Sequence, residues 1–176
     1  MSVKKQFVIT KHMRTWLPTE YYVRDSDTQE IIFYAVTTGF WKTCLDVYES
    51  REGLRRISWS IKSRNVLALA FDITDVEDNK IGSVILEDWF SPSWQIMDAR
   101  TGAVARLTRT SLFPYKDYLL CLEGEEVCSF NTKHSLLNLK LYLNFLDSSP
   151  FNIDLILTGG LLIQALGNGG GGDGAG

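Results

Sequence analysis

Cysteine is scarce in this chain of 176 residues, and the cysteines that occur follow no recognisable motif. Cys44, Cys121 and Cys128 are an odd number and include no C-x-x-C pair. That pattern predicts neither a disulfide framework, which takes paired cysteines, nor a zinc site built on closely spaced thiols. We expect all three to be reduced residues of the interior or of strands.

The chain also lacks an apolar run long enough to cross a membrane, for which about 20 residues are needed. Its first residues, MSVKKQFVITKHMR, contain no apolar core of signal-peptide length. We therefore expect an intracellular protein without a transmembrane segment, either free in the cytoplasm or bound peripherally to a membrane. A hydrophobic content of 45% is enough for one domain with a sizeable core.

Sequence motifs for catalysis are missing as well. His12 and His134 are the only histidines, and neither has a serine, cysteine or carboxylate partner at motif spacing. The nucleophile pattern G-x-S-x-G, the zinc pattern H-E-x-x-H and the P-loop do not occur. We expect a protein that is not an enzyme and that uses no cofactor.

Positive charge is in the minority, with 18 Lys and Arg against 21 Asp and Glu and a net charge of −3. Proteins whose main partner is nucleic acid are expected to be basic, so this balance argues against nucleic acid as a partner. The carboxylates Asp72, Asp75, Glu77 and Asp78 are oxygen ligands of the type that hard cations prefer, but they lack the spacing of a calcium loop. A polar hairpin turn explains them better, and we expect no metal site.

The first 150 residues contain a repeated pattern of strand, polar turn and strand. Each turn separates two short runs that are rich in β-branched, aliphatic or aromatic residues. The turns fall at residues 25–28, 75–79, 98–102 and 123–125. The clearest single strand is Leu137 to Phe145, in which apolar residues alternate with mostly polar ones. Counting such runs gives about a dozen strands, which is typical of an antiparallel sandwich or barrel.

The last apolar segment, Ile153 to Leu166, predicts a helix that is apolar on every side. Such a helix is enclosed either by protein or by lipid, and Asp154 and Gln164 within so short a run favour protein. A glycine pair at 159 and 160 lowers the stability of the helix by about 1 kcal/mol per residue relative to alanine. We expect close approach of barrel side chains, mainly aromatic ones, to compensate.

These patterns together predict one domain over residues 1–166. It is a mainly β protein, an antiparallel barrel of about twelve strands that encloses the C-terminal helix 153–166, because the lumen of a large barrel must be filled. Asn152 or a neighbouring serine is expected to cap the helix, and Asp154 suits the positive end of its dipole. The glycine-rich tail, residues 167–176, can bury nothing and is expected to be disordered.

Three local motifs occur in the same order as in a known superfamily. They are Lys80 to Ile85 followed by Asp88-Trp89-Phe90, then Trp94 to Ala99 with Gly102, and the closing Phe151-Asn152-Ile153-Asp154. In this order they resemble the superfamily of tubby C-terminal domains, phospholipid scramblases and the LURP-one-related proteins of plants. The resemblance covers nearly the whole chain and implies a twelve-stranded barrel around a buried C-terminal helix.

The resemblance also implies a function. Tubby-type members bind phosphoinositide headgroups through basic residues on the barrel, and scramblases are linked to lipid movement between leaflets. This chain has no proline-rich N-terminal segment, no cysteine cluster for palmitoylation and no long aliphatic terminal span, which argues against lipid translocation. The leading hypothesis is therefore a non-catalytic peripheral membrane module that binds anionic phospholipid headgroups. The alternatives are a protein-interaction scaffold without a lipid ligand and a phospholipid scramblase.

The candidate headgroup site is the most basic stretch of the chain, with Arg55, Arg56, Lys62 and Arg64 as its binding residues. On a strand, Arg56, Lys62 and Arg64 would share one face with Ser58 and Ser60, opposite Ile57, Trp59 and Ile61. Such a face suits an anionic headgroup. A solvated outer face explains the same residues, because charged side chains are normally outside. Trp16-Leu17 and Phe40-Trp41 are the candidates for an exposed apolar edge that contacts lipid or a partner.

Overall fold

The residues that the structure describes form twelve β-strands followed by one α-helix. A computed structural model describes residues 4–12, 18–38, 44–51, 54–64, 69–88, 93–111, 117–134, 139–146, 149 and 151–166. The strands are β1 Lys4–His12, β2 Glu20–Asp25, β3 Ile31–Thr38, β4 Cys44–Arg51, β5 Leu54–Ser63, β6 Ala70–Asp75, β7 Lys80–Asp88, β8 Ser93–Asp98, β9 Val104–Arg109, β10 Tyr118–Leu122, β11 Glu125–His134 and β12 Leu139–Leu146. The helix, α1, is Ile153–Leu166.

The strands close into one antiparallel barrel. Each strand pairs with the next along the chain, and β1 pairs with β12 to complete the ring. The register of this closing pair runs from Lys4 opposite Leu146 to Thr10 opposite Lys140. Closure gives every described strand two neighbours, which protects the sheet from pairing with other chains. The prediction of an antiparallel barrel of about twelve strands with a C-terminal helix is confirmed.

Side chains alternate along the strands between the lumen and the outer surface, as an extended backbone requires. In β8, Trp94 and Ile96 are buried and the intervening Gln95 is half-buried. The inward side chains of the other strands are mostly aliphatic or aromatic. Those that are completely buried include Ile9, Val23, Leu45, Ile61, Ile73, Leu120, Phe130, Leu141 and Leu143. The alternating apolar residues of the sequence thus line one continuous lumen.

The helix α1 fills this lumen. Its ten consecutive residues from Leu155 to Gln164 are all buried, as the apolar residues on every side of it predicted. Asn152 caps the helix, since its Oδ1 accepts a hydrogen bond from the backbone N–H of Asp154 at 2.9 Å. The predicted bounds of the helix and its predicted cap are both confirmed. The glycine-rich tail, residues 167–176, lies outside the described residues.

The glycine pair of α1 lies where the barrel wall comes closest to the helix. A Cβ atom on Gly160 would lie 2.8 Å from Ile9 Cδ1 and 3.1 Å from Leu143 Cδ2, and one on Gly159 would lie 3.0 Å from Ile96 Cδ1. The predicted close approach is confirmed, but its chemistry was wrong, because the nearest atoms belong to aliphatic side chains. The aromatic Phe130 is farther away, at 3.4 Å from the Gly160 position.

The two ends of the barrel differ. We call the end at which α1 begins the hairpin end, and the opposite end the far end. Four described turns lie at the hairpin end, and three of them begin with an aspartate, Asp25, Asp75 or Asp98. The Oδ1 atom of each of these aspartates accepts hydrogen bonds from two backbone N–H groups of its own turn. The repeated aspartates of the sequence are therefore explained by turn formation.

Candidate functional site

A β-bulge interrupts the strand that carries the predicted basic face. In β5, Trp59 pairs with Val47 and Ile57 pairs with Tyr48, the next residue of β4. Ser58 is therefore an extra residue of β5 that has no partner in β4. Trp59 remains inside the barrel, whereas Ile57 is 41% exposed. The expectation that Ile57 lies on the inner face with Trp59 and Ile61 was therefore wrong.

The bulge also separates Arg56 from the other cations of the candidate site. Arg56 pairs with Glu49, which follows the inward Val47 by two residues, so these two side chains share the lumen side of the sheet at the hairpin end. The expectation that Arg56 shares a face with Lys62 and Arg64 was wrong for this reason. Arg55 pairs with Ser50 in the sheet, and its side chain lies outside the described part of the structure.

Lys62 and Arg64 do share the outer face, and each is ion-paired. Lys62 Nζ lies 3.0 Å from Asp78 Oδ1. Arg64 binds Asp72 through two parallel hydrogen bonds, at 2.8 Å from Nε and 2.6 Å from Nη2, and Lys80 Nζ lies 2.7 Å from the same carboxylate. The positive charge of this face is therefore largely offset by two carboxylates.

These contacts shift the pKa values in the direction that ion pairing requires. The hydrogen bond to Asp78 raises the pKa of Lys62, and the one to Asp72 raises the pKa of Arg64. Arg64, with a smaller contribution from Lys80, lowers the pKa of Asp72 to about 2. Sequence reasoning assigned Asp72 and Asp78 to a polar turn and missed their pairing with β5, because that pairing follows from strand register.

A second group of cations lies on the outer face at the far end. Lys133 of β11 and Lys140 of β12 are directly opposite each other in register, and Lys133 is exposed while Lys140 is half-buried. The ammonium of Lys133 lies 4.7 Å from the centre of the Tyr142 ring, a cation–π contact. Neither lysine forms an ion pair with any residue that the structure describes. We call Lys133, Lys140 and Tyr142 the lysine patch.

The lysine patch was not found from the sequence. Lys133 and Lys140 are seven positions apart, and residues 135–138 between them gave no turn signal as clear as the aspartate turns. Their juxtaposition depends on the pairing of β11 with β12, and only the alternation of Leu137 to Phe145 hinted that Lys140 points outward.

A row of tyrosines continues the outer surface away from the lysine patch. Tyr22, Tyr34 and Tyr48 are paired in register on β2, β3 and β4, with ring centres 5.2 Å and 6.0 Å apart. The carboxylate of Glu20 accepts hydrogen bonds from the hydroxyls of Tyr22 at 3.0 Å and Tyr34 at 2.9 Å. The ring centres of His12 and Tyr22 lie 5.0 Å apart, and the two rings are nearly perpendicular. This contact gives His12 a packing role on the outer face.

An open cleft of about 310 Å³ lies on the outer face near the hairpin end. Its lining residues are Gln95, Val104, Arg106, Cys121, Glu123 and Gly124. The one cation among them, Arg106, is paired with Glu87 at 3.0 Å. An anion would have to compete with this carboxylate, so the cleft is a weaker anion site than the lysine patch.

Potential metal ligands within the described ranges are not gathered into one site. No group of three or more histidine, cysteine or acidic residues in the described part of the chain is placed to hold a metal ion. Cys128 is buried, and burial raises the pKa of its thiol. Trp16-Leu17 and Phe40-Trp41, the predicted apolar edge, lie outside the described residues.

The fold places the chain in a structural class, the closed twelve-stranded antiparallel barrels with a helix in the lumen. The chain matches no family model, no curated protein and no solved structure. The resemblance to the tubby and scramblase superfamily therefore stays a prediction from sequence motifs. Within the described residues, α1 is too short to cross a membrane.

Proposed function

We propose that this protein is a non-catalytic module that binds anionic phospholipid headgroups at a membrane surface, as its resemblance to tubby-type domains implies. The lumen is occupied by α1, so recognition by this barrel falls to its outer surface. The observation that carries the proposal is the pair Lys133 and Lys140, two outward cations opposite each other without a carboxylate partner among the described residues.

Like charges directly opposite each other on neighbouring strands destabilise a sheet. An anionic ligand relieves this repulsion, and each lysine near an anionic membrane contributes about 1 kcal/mol to binding. Two lysines alone therefore favour anionic over neutral membranes by roughly 2 kcal/mol, or about 30-fold. The proposal thus predicts weak, reversible binding that salt screens.

Sedimentation with lipid vesicles tests the proposal directly. The protein is mixed with vesicles of phosphatidylcholine alone, with added phosphatidylserine, or with added phosphoinositide, each at low and at high salt. We expect binding to the two anionic compositions only, and weaker binding at high salt. Equal binding to neutral vesicles, or no binding to any vesicle, contradicts the proposal. Transfer of labelled lipid between leaflets in the same vesicles would point to scrambling instead.

The second candidate is a protein-interaction module without a lipid ligand. It is favoured by the tyrosine row, since Tyr48 pairs with the 41% exposed Ile57 and aromatic residues are enriched at interfaces. An apolar and aromatic interface is insensitive to salt. A partner that co-purifies with the protein at high salt, and is lost in a Tyr48→Ser, Ile57→Ser variant, would favour this candidate.

A further inference from the structure

We infer that the barrel docks on an anionic membrane through the lysine patch, with its hairpin end directed away from the lipid, and that the basic stretch of β5 is not the docking site. This inference rests on the proposed function and names the surface that performs it. Three properties of the described residues support it. They are the positive charge that is not ion-paired, the sheet that holds the two lysines in place, and the location of the carboxylates at the hairpin end.

The first property is the availability of positive charge. Lys62 is paired with Asp78, and Arg64 and Lys80 share Asp72. A headgroup phosphate at β5 must displace these carboxylates or lie beside them, and either arrangement costs free energy. Lys133 and Lys140 have no such competitor in the part of the chain that the structure describes.

The second property is the support that the sheet gives to the two lysines. They project from neighbouring strands at one register position, so one anionic group can contact both ammonium groups. The Tyr142 ring beneath Lys133, at 4.7 Å, restricts the conformations of that long side chain before any ligand binds. Less side-chain entropy is then lost on binding.

The third property is the acidic character of the hairpin end. Nine carboxylates lie in or beside the four described turns, more than the cations Lys5, Arg24, Lys80 and Arg100 beside them and Arg56 on β5. The carboxylates are Asp25, Asp27, Glu30, Asp75, Glu77, Asp78, Asp98, Glu123 and Glu125. An anionic surface repels this end. The lysine patch lies at the far end, because Lys133 is the second-last residue of β11 and Lys140 is the second residue of β12.

Two charge-reversal variants test the docking surface. Lys133→Glu with Lys140→Glu is compared with Lys62→Glu with Arg64→Glu in sedimentation with phosphatidylserine vesicles. All four positions face outward, so an unchanged circular dichroism spectrum and a cooperative melting transition verify the fold. The melting temperature of the β5 variant should be somewhat lower, because it loses the ion pairs with Asp72 and Asp78. We expect the first variant to lose at least about 30-fold in partitioning and the second to bind like the wild type.

The outcomes separate the inference from the proposed function. If the wild type binds anionic vesicles but the β5 variant abolishes binding while the Lys133 and Lys140 variant does not, the docking surface is wrong and lipid binding stands. If the wild type binds no anionic vesicle, both fail. Tyr142→Ala adds a third variant, for which we expect weaker binding, whereas Tyr142→Phe keeps the ring and serves as its matched control.

Fluorescent labels at the two ends test the orientation. Thr101, in a turn at the hairpin end, and Thr110, just after β9 at the far end, are both exposed. Each is changed to cysteine in a Cys44→Ser, Cys121→Ser background and labelled with a polarity-sensitive dye. On vesicles that sediment the protein, we expect a blue shift and quenching by brominated lipid at position 110 only. Quenching at position 101, or at neither position, overturns the orientation.

Discussion

The indole N–H of Trp59 donates a hydrogen bond to Thr158 Oγ1 at 3.1 Å, which links the barrel wall to the helix across 99 positions of sequence. The Thr158 hydroxyl in turn donates to the backbone carbonyl of Asp154 at 2.8 Å. Both side chains are buried within an otherwise apolar region of contact. Because hydrogen bonds are directional, this bond favours one rotation of α1 about its own axis, as does the close approach of the wall at Gly159 and Gly160.

Replacing Thr158 with valine should therefore destabilise the protein by about 1–3 kcal/mol, because the buried indole N–H is left without an acceptor. Valine keeps the volume and the branched shape of the side chain, so lost packing contributes little. Thr158→Ser retains the hydroxyl and is the matched control. Urea denaturation measures both. A valine variant as stable as the wild type would show that the bond contributes no stability.

The space around a Cβ atom predicts how strongly alanine should destabilise the protein at three glycines that contact the core. A Cβ on Gly82 would lie 2.6 Å from Leu155 Cδ2 and 2.7 Å from the backbone oxygen of Met97, which cannot rotate away. Gly82→Ala should cost about 1–3 kcal/mol through overpacking. At Gly159 the one tight neighbour is the flexible end of Ile96, and alanine favours the helix by up to about 1 kcal/mol.

We therefore expect Gly159→Ala to be nearly neutral, and Gly160→Ala, with two tight neighbours, to lie between the two. Thermal and urea unfolding of the three variants gives the order. A loss at Gly159 equal to that at Gly82 would mean that the wall near Ile96 is as rigid as the backbone near Met97.

Backbone conformation, not space, governs the turn glycine Gly102. Its φ is +74°, and nothing lies within 4 Å of a Cβ built there. Gly102→Ala should still destabilise by about 1–2 kcal/mol, because a side chain disfavours this region of φ and ψ. Gln29 has a φ of 62° with a side chain already present, so Gln29→Gly should be neutral or stabilising. Effects of the same sign and size at both sites would contradict this explanation.

The strands and the helix could be predicted because their signals are local. Alternation identifies the inner face of a strand such as β8, the aspartate turns mark where hairpins reverse, and Ile153 to Leu166 has no polar face to expose. The order of neighbours then follows from chain connectivity, since each strand pairs with the next. The β-bulge at Ser58 could not be predicted, because it is a register mismatch between β5 and β4 that the sequence of β5 alone does not reveal.

The candidate site was predicted less well, because it also depends on how neighbouring strands pair. A run of Arg and Lys residues can be read from the sequence, but whether each cation is neutralised depends on residues that the sheet brings opposite it. Asp72 reaches Arg64 through the pairing of β6 with β5, and Lys140 reaches Lys133 through the pairing of β12 with β11. Strand register therefore explains why the cations on the outer face of β5 are ion-paired. It also explains why Lys133 and Lys140, which are separate in sequence, form one patch.

Asp72, one of the two carboxylates that pair with the cations of the β5 face, makes the stability of the protein depend on pH in the acid range. Arg64, and to a lesser extent Lys80, lowers the pKa of Asp72 from its ordinary value of 3.8 to about 2, although burial works in the opposite direction. Because the pKa is lower in the folded state, the ion pairs stabilise the protein fully above about pH 4. This contribution is lost as the pH falls through about 2.

Asp72→Asn should reproduce that loss at neutral pH. The ion pairs are about one-third exposed, so solvent screening limits their contribution to roughly 0.2–1 kcal/mol. Urea unfolding of the wild type and of Asp72→Asn, at neutral pH and near pH 2, measures the difference directly. We expect a less stable variant at neutral pH, a smaller difference at high salt, and a much smaller one near pH 2, where about half of the wild-type carboxyl is itself protonated. A difference that persists unchanged in acid would mean that Asp72 stabilises the barrel through hydrogen bonds that do not need its charge.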